Sequence, residues 1–154
     1  MPSSTDRIEK TAILDAPRSR VWRAITDVAQ FNQWFGVTLE SPFTPGAEVQ
    51  GQITYPGYEH LRMTIWIDRI EPEQFFSFRW HPNANEPNVD YSKEPKTLVT
   101  FTLEDAGPKT KLTIVESGFD AIPESRRQPA FASNSEGWVE QLDRIAAFLR
   151  QGAA

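Results

Sequence analysis

The chain has 154 residues, 39% of them hydrophobic and 24% charged, which is typical of one soluble globular domain. Its 16 basic and 21 acidic residues give a net charge of −5. A nucleic-acid partner is therefore not expected, because proteins of that class usually carry a basic patch. Cysteine is absent, which excludes disulfide bonds, thiolate catalysis and cysteine-zinc sites.

The length of the chain and its apolar segments indicate the number of domains and the cellular location of the protein. We expect residues 1–154 to form a single domain, since two independent cores would be unusual at this length. The first residues lack the apolar core of a signal peptide, and no apolar run approaches a membrane span. These features predict a cytoplasmic protein without membrane insertion. The sequence does not specify an oligomeric state, and a homodimer is one expectation.

The N-terminal part predicts a strand followed by two short helices. The stretch 7–17 opens with a strand-like pattern, in which apolar residues occur on both faces between Ile8 and Leu14. Val21 and Ile25 lie four residues apart and predict the buried face of the first helix. Asp27 can cap a second helix over 28–35, in which three aromatic residues share one face.

The middle of the chain predicts a run of antiparallel strands, because apolar residues there recur at every second position. The alternation breaks at Ile70, so we expect a β-bulge near Asp68 and Arg69. Two polar, proline-containing segments are predicted as loops that could gate a cavity, at 82–95 and 120–129. The predicted strands lie within residues 37–41, 45–58, 60–72, 75–81, 96–107 and 110–119.

The last part of the chain predicts one long amphipathic helix with a continuous apolar stripe. Gly137 lies inside this helix, where glycine costs about 1 kcal/mol relative to alanine. We expect its missing side chain either to leave volume beside Trp138 or to permit tight packing against a strand. The stripe consists of Phe131, Trp138, Leu142, Ile145 and Leu149.

Several stretches, in the correct order, resemble the START-like (SRPBCC) superfamily, within the branch named for the activator of the 90-kDa heat-shock-protein ATPase. They are 12–35 (first strand and paired helices), 65–81 (a strand pair with an Ile-x-Pro turn), 112–119 (a Ser-Gly-Phe turn) and 134–149 (a Gly-Trp helix). The resemblance implies an α+β helix-grip fold. In that fold a curved antiparallel sheet wraps around a long C-terminal helix, two short helices follow the first strand, and a cavity lies between sheet and helix.

Sequence motifs for catalysis, cofactor binding and metal binding are absent. No nucleophile elbow, P-loop or dinucleotide fingerprint occurs, so we expect no catalytic residue and no cofactor. His60 and His81 lie on different predicted strands, and a zinc site would need both of them plus converging carboxylates. We therefore expect no metal site.

Glu116 is the polar residue that stands out, because it shares strand parity with two apolar residues of its strand and is predicted to point inward. A buried carboxylate needs a partner, and Arg62 or Arg79 could supply one. The alternative is a strand-end glutamate in water. The predicted ligand-binding residues are Trp34, Ile53, Tyr55, Trp66, Phe78, Trp80, Glu116, Phe131, Trp138 and Leu142.

Three functions are compatible with these patterns. The first is binding of a small hydrophobic or aromatic molecule in the implied cavity. The second is an enzyme of the cyclase, dehydratase or hydrolase type acting on a hydrophobic substrate there, with Glu116 and Tyr55 or Tyr91 transferring protons. The third, implied by the resemblance, is a chaperone-binding module of the stress response. Eukaryotic activators carry a separate N-terminal domain for which this chain has no room, which counts against a chaperone partner.

Overall fold

The computed structural model describes residues 6–82 and 90–151. In this part of the chain, seven antiparallel strands form one sheet in the order β1-β7-β6-β5-β4-β3-β2. Residues 119–121 add one short 3₁₀ helix. The elements are β1 (Arg7–Leu14), α1 (Arg18–Thr26), α2 (Val28–Phe35), β2 (Val37–Leu39), β3 (Glu48–Ile53), β4 (Arg62–Glu71), β5 (Phe75–Trp80), β6 (Thr97–Ala106), β7 (Lys109–Ser117) and α3 (Glu124–Gln151).

The core lies between this sheet and α3, which contacts β1, α1 and α2. Phe76, Phe78 and Phe101 are fully buried on the sheet, Trp138 and Ile145 are buried on α3, and the rings of Phe101 and Trp138 lie 5.8 Å apart. Aromatic side chains bury large apolar areas, so this layer contributes strongly to the apolar surface removed from water. The predicted α+β helix-grip architecture is confirmed.

The two short helices follow their predicted local signals. The carboxylate of Asp27 accepts hydrogen bonds from the backbone N–H groups of Ala29, at 2.9 Å, and Gln30. This caps the free donors at the start of α2. Gly36 ends α2 with a φ of +92°, a left-handed conformation that glycine adopts without strain.

The predicted β-bulge is confirmed, because the pairing of β4 with β5 shifts register between Ile67 and Arg69. The side chain of Ser77 holds the bulge. Its hydroxyl donates to the carboxylate of Asp68 at 2.9 Å and accepts from the backbone N–H of Arg69 at 3.1 Å. The irregular backbone therefore keeps its polar groups paired.

On the N-terminal side of the bulge in β4, the strands β4 and β5 separate and the sheet is open. β4 pairs with β3 from Arg62 to Trp66, but its first pair with β5 is Trp66 with Arg79. Among the described residues, positions 62–65 of β4 therefore lack a strand partner on the β5 side. This opening positions the site described below.

The predicted loop at 120–129 is wrong, because α3 begins at Glu124 and runs through Pro129. Proline removes one helical hydrogen bond and normally ends a helix. Tertiary contacts compensate here: Ala130 is fully buried, and Arg126 pairs with the carboxylate of Glu94. The other predicted loop, 82–95, includes residues 83–89, which lie outside the described residues.

Candidate functional site

An open pocket of about 820 Å³ lies between α3, the β3–β4 region and the end of β5. Three of its lining residues, Phe35, Trp80 and Trp138, form an aromatic floor. The rings of Trp80 and Trp138 stack with centroids 5.7 Å apart and an interplanar angle of 27°. The ring of Phe35 meets both edge-on, at 6.0 and 6.3 Å. Trp80 is the half-buried member of this floor.

Gly137 forms part of the helix wall of this pocket. A Cβ atom built at this position would meet no atom within 4 Å. Of the two expectations for this glycine, tight packing against a strand is therefore wrong. The missing side chain leaves open volume beside Trp138.

Glu116 lies directly beneath the aromatic floor and is fully buried. The indole N–H of Trp80 donates to its Oε2 at 2.8 Å, and that of Trp138 to its Oε1 at 2.8 Å. The hydroxyl of Thr97 reaches Oε2 at 2.6 Å, and the amide of Asn134 reaches both oxygens at 2.9 and 3.1 Å. One carboxylate thus joins β5, β6, β7 and α3.

The partners of Glu116 differ from those expected. Arg62 and Arg79 are both exposed, and Arg62 pairs with Glu40 at 2.8 Å. The expectation of an arginine partner is therefore wrong, and so is the alternative of a glutamate in water. Neutral donors replace the arginine, so among the described residues no cationic group contacts the carboxylate.

Burial is the largest influence on Glu116 and raises the pKa of its carboxyl above the ordinary value. The hydrogen bonds from Thr97, Trp80, Trp138 and Asn134 act in the opposite direction, because they favour the ionised form. The two indole groups can only donate, so they need an acceptor in this place. The network therefore fixes the orientation of both rings of the floor.

The mouth of the pocket lies at the opening between β4 and β5. Trp66 forms one wall there, with the ring of His81 edge-on to it at 5.5 Å and Nζ of Lys96 over its face at 4.4 Å. Burial and then the charge of Lys96 lower the pKa of His81 below its ordinary value.

The opposite rim connects the β3–β4 segment to α3. The hydroxyl of Tyr55 donates to the carboxylate of Glu140, and this bond is the largest cause that raises the pKa of Tyr55. The guanidinium of Arg144 lies 4.9 Å over the Tyr55 ring. Tyr55 therefore interacts with groups on α3 and not with Glu116, its proposed partner in the enzyme hypothesis.

A family model described as "Activator of Hsp90 ATPase homolog 1-like protein" matches residues 15–150. The chain belongs to this family. The expected START-like membership is confirmed, and the fold is of the ligand-binding type found in this Hsp90-activator-like family. No curated protein matches the chain.

Solved structures share the fold of this family member. DynU16, described as a protein in the dynemicin biosynthetic locus, has a TM-score of 0.75 and 28% identity over 98% of this chain. The chain covers 49% of DynU16, so it spans about half of that protein. MLL2253 from Mesorhizobium loti has a TM-score of 0.75 and 18% identity, with 96% of this chain and 99% of that protein covered. CalU16 from Micromonospora echinospora has a TM-score of 0.66 and 22% identity, with 93% and 75% covered.

The ten predicted ligand-binding residues divide into those that line the pocket and those that do not. Half of them line the pocket, namely Ile53, Tyr55, Trp66, Trp80 and Trp138. The others do not line it: Trp34, Phe78 and Leu142 lie in the hydrophobic core, Phe131 packs on the ring of Phe119, and Glu116 lies beneath the floor.

Sequence reasoning missed three residues that help to define the site. Asn134 was recognisable in principle, since it lies four residues before Trp138 and so shares its helix face. His81 and Lys96 had no such signal, because their meeting at Trp66 depends on where β5 leaves β4.

The described residues were also compared with the requirements of a metal site and of a membrane-spanning helix. Within residues 6–82 and 90–151, no group of three or more histidine, aspartate or glutamate side chains is placed to hold a metal ion. None of the helices in the same residues combines the length and hydropathy that crossing a membrane requires.

Proposed function

We propose that the protein binds a small apolar or aromatic molecule in the pocket between α3 and the sheet. The observation that carries the proposal is an open volume of about 820 Å³ above a floor of three aromatic rings. Small-molecule sites usually have volumes of roughly 300–1,000 Å³ and apolar linings. Apolar surface removed from water contributes about 25 cal/mol per Å², which is enough for binding without covalent chemistry.

The arrangement of the floor supports an aromatic ligand. Trp80 is half-buried, whereas Trp138 is 2% exposed and is held in place by its bond to Glu116. A ring of the ligand can therefore stack or pack edge-on against Trp80 without moving the core. The fixed orientation of both indoles lowers the entropy cost of binding.

The contacts of Glu116 support a ligand-binding function more than an enzyme in which Glu116 transfers a proton to the substrate. Both carboxylate oxygens already accept hydrogen bonds from protein groups. Trp80, Asn134 and Trp138 line the pocket and bind Glu116, which itself does not line it. A general base must come within hydrogen-bonding reach of the substrate. We therefore assign Glu116 to the support of the floor.

Gly137 offers a way to test the proposal without disturbing the core. Since a Cβ atom at this position meets nothing within 4 Å, Gly137→Leu should project into the pocket while α3 stays intact. The probe is N-phenyl-1-naphthylamine, a neutral aromatic molecule whose fluorescence increases on apolar burial. We expect saturable binding to the unmodified protein. Gly137→Leu should weaken binding at least about fivefold, because its side chain occupies pocket volume and a clash with the probe costs about 1–3 kcal/mol.

Gly137→Ala is the matched control, since it adds only a Cβ atom and should keep the affinity for the probe. Thermal melts check that both variants fold. The proposal fails if the unmodified protein shows no saturable binding, or if Gly137→Leu binds the probe as tightly as Gly137→Ala does.

A further inference from the structure

The strand side of the pocket carries cationic side chains, although the whole chain has a net charge of −5. Arg62, His81 and Lys96 all line it. Two of these side chains meet at one aromatic ring, because Nζ of Lys96 lies 4.4 Å from the centroid of Trp66 and the His81 ring lies 5.5 Å from it. A cation over an aromatic face is stabilised by the ring and keeps its remaining donors free.

Lys96 has no carboxylate within ion-pair distance among the residues that the structure describes, although Glu48 accepts from the indole of the same Trp66 at 2.9 Å and the charge of Asp90 acts on His81. Glu94 binds Arg126 through both of its oxygens, and Glu40 binds Arg62. The ammonium group of Lys96 therefore forms no ion pair within the described part of the protein.

A second free group lies next to Lys96. The Nδ1 atom of His81 is buried and has no hydrogen-bond partner within residues 6–82 and 90–151. Buried polar atoms are usually paired, so an unpaired one beside a pocket suggests that a ligand atom can complete the bond. His81 and Lys96 both line the pocket, and both lie against the ring of Trp66.

Charge is distributed unevenly across the pocket. Glu136 and Glu140 lie on the helix wall, and Glu140 is bonded to Tyr55. The basic side chains lie on the strand wall. A ligand with an acidic group would therefore be oriented with that group toward the strands and its apolar part over the floor.

We propose that the ligand is an aromatic anion, whose carboxylate, sulfonate or phosphate group binds Lys96 at the mouth while its ring contacts Trp80. This deepens the proposed function and rests on it. His81 adds a hydrogen bond to the same acidic group. Lys96 is thus the residue that distinguishes acidic from neutral aromatic ligands.

Two probes that differ by one group test this proposal. 8-Anilinonaphthalene-1-sulfonate carries the rings of N-phenyl-1-naphthylamine plus a sulfonate. Lys96→Met should weaken binding of the sulfonate probe about tenfold, the size expected for one charge-assisted hydrogen bond. Binding of the neutral probe should change less than about twofold, since its contacts are apolar. Lys96→Arg keeps the charge and should retain most of the affinity for the sulfonate.

Lys93→Met is the matched control, because Lys93 is exposed and does not line the pocket. It removes the same charge and should leave the Kd of both probes unchanged. Thermal melts check that each variant folds. Added salt should weaken binding of the sulfonate probe to the unmodified protein and leave the neutral probe unaffected.

The outcomes separate this inference from the proposed function. If the neutral probe binds saturably and Lys96→Met changes both affinities by the same factor, or neither, the inference is overturned and the proposed function stands. The same holds if only the neutral probe binds. If neither probe binds saturably, the proposed function fails, and the inference fails with it.

Discussion

Trp138 on the last helix donates its indole N–H to Oε1 of Glu116 on β7 at 2.8 Å. This bond fixes α3 against the sheet and at the same time sets the orientation of a ring in the pocket floor. Trp80 makes the equivalent bond to Oε2 from β5. Trp80 and Trp138 therefore have two roles. Their indole N–H groups bond to the buried carboxylate, and their rings form the apolar floor of the pocket.

Glu116 should make stability depend on pH. Burial raises the pKa of its carboxyl, so the folded state binds a proton more tightly than the unfolded chain does. Between the ordinary glutamate pKa and the raised value, the free energy of unfolding should therefore fall as pH rises. Urea melts over a pH series should show this slope, and Glu116→Gln should reduce it. The His81 pKa is lowered and gives the opposite slope, but that contribution is common to both proteins.

Glu136→Gln is the control for that experiment, because it makes the same chemical change at an exposed position of α3. It should leave the slope as it is in the unmodified protein. Equal slopes for Glu116→Gln and the unmodified protein would show that Glu116 keeps its ordinary pKa in the folded state.

Thr97→Val should destabilise the protein by about 1–3 kcal/mol, because it removes a donor to a buried carboxylate at nearly constant volume. Denaturant unfolding measures the change. Thr100→Val makes the same replacement on the same strand at a half-buried position, and should change stability by less than about 0.5 kcal/mol. Similar losses at both positions would argue against a specific role of the Thr97 hydroxyl.

Gly137→Ala should stabilise the protein by up to about 1 kcal/mol, because alanine is the better helix former and its Cβ meets no atom within 4 Å. Gly51→Ala should do the reverse. A Cβ atom there would lie 2.0 Å from the carbonyl oxygen of Thr38, so the backbone of β2 would have to move. Thermal melts of both variants check the contrast, and a loss of stability in Gly137→Ala would contradict the open space beside Trp138.

Asp27→Ala should cost about 1 kcal/mol, within a range of roughly 0.5–2, because the first turn of α2 loses its cap. Asp27→Asn keeps an accepting oxygen at the same position and should lose only a small part of this stability. The free energy of unfolding in urea measures both. If the two variants are equally destabilised, the cap is not the source of the effect.

Sequence periodicity indicated the separate elements, because each of them carries a local signal, and the family resemblance implied how they are arranged. The alternating strands, the Asp27 cap, the bulge near Asp68 and the stripe on α3 all depend on residues close together in the chain. The start of α3 did not follow from local signals. Pro129 indicated a boundary, and the burial of Ala130 and the ion pair of Arg126 outweighed it.

The site was less predictable, because it depends on contacts between distant segments. The inward direction of Glu116 followed from strand parity. Its partners did not, since indole donors from β5 and α3 meet it only after the sheet has curved around the helix. The mouth likewise depends on the point at which β5 separates from β4, which no residue pattern indicated.

The carboxylate shared by three strands and α3 has a consequence for biosynthesis. A nascent chain that ends before Asn134 contains Glu116 but lacks two of its donors, Asn134 and Trp138. The carboxylate of Glu116 would then lack part of its hydrogen bonds, and burying it in the core would be energetically unfavourable. The core around Glu116 can therefore close only after Asn134 and Trp138 have been synthesised.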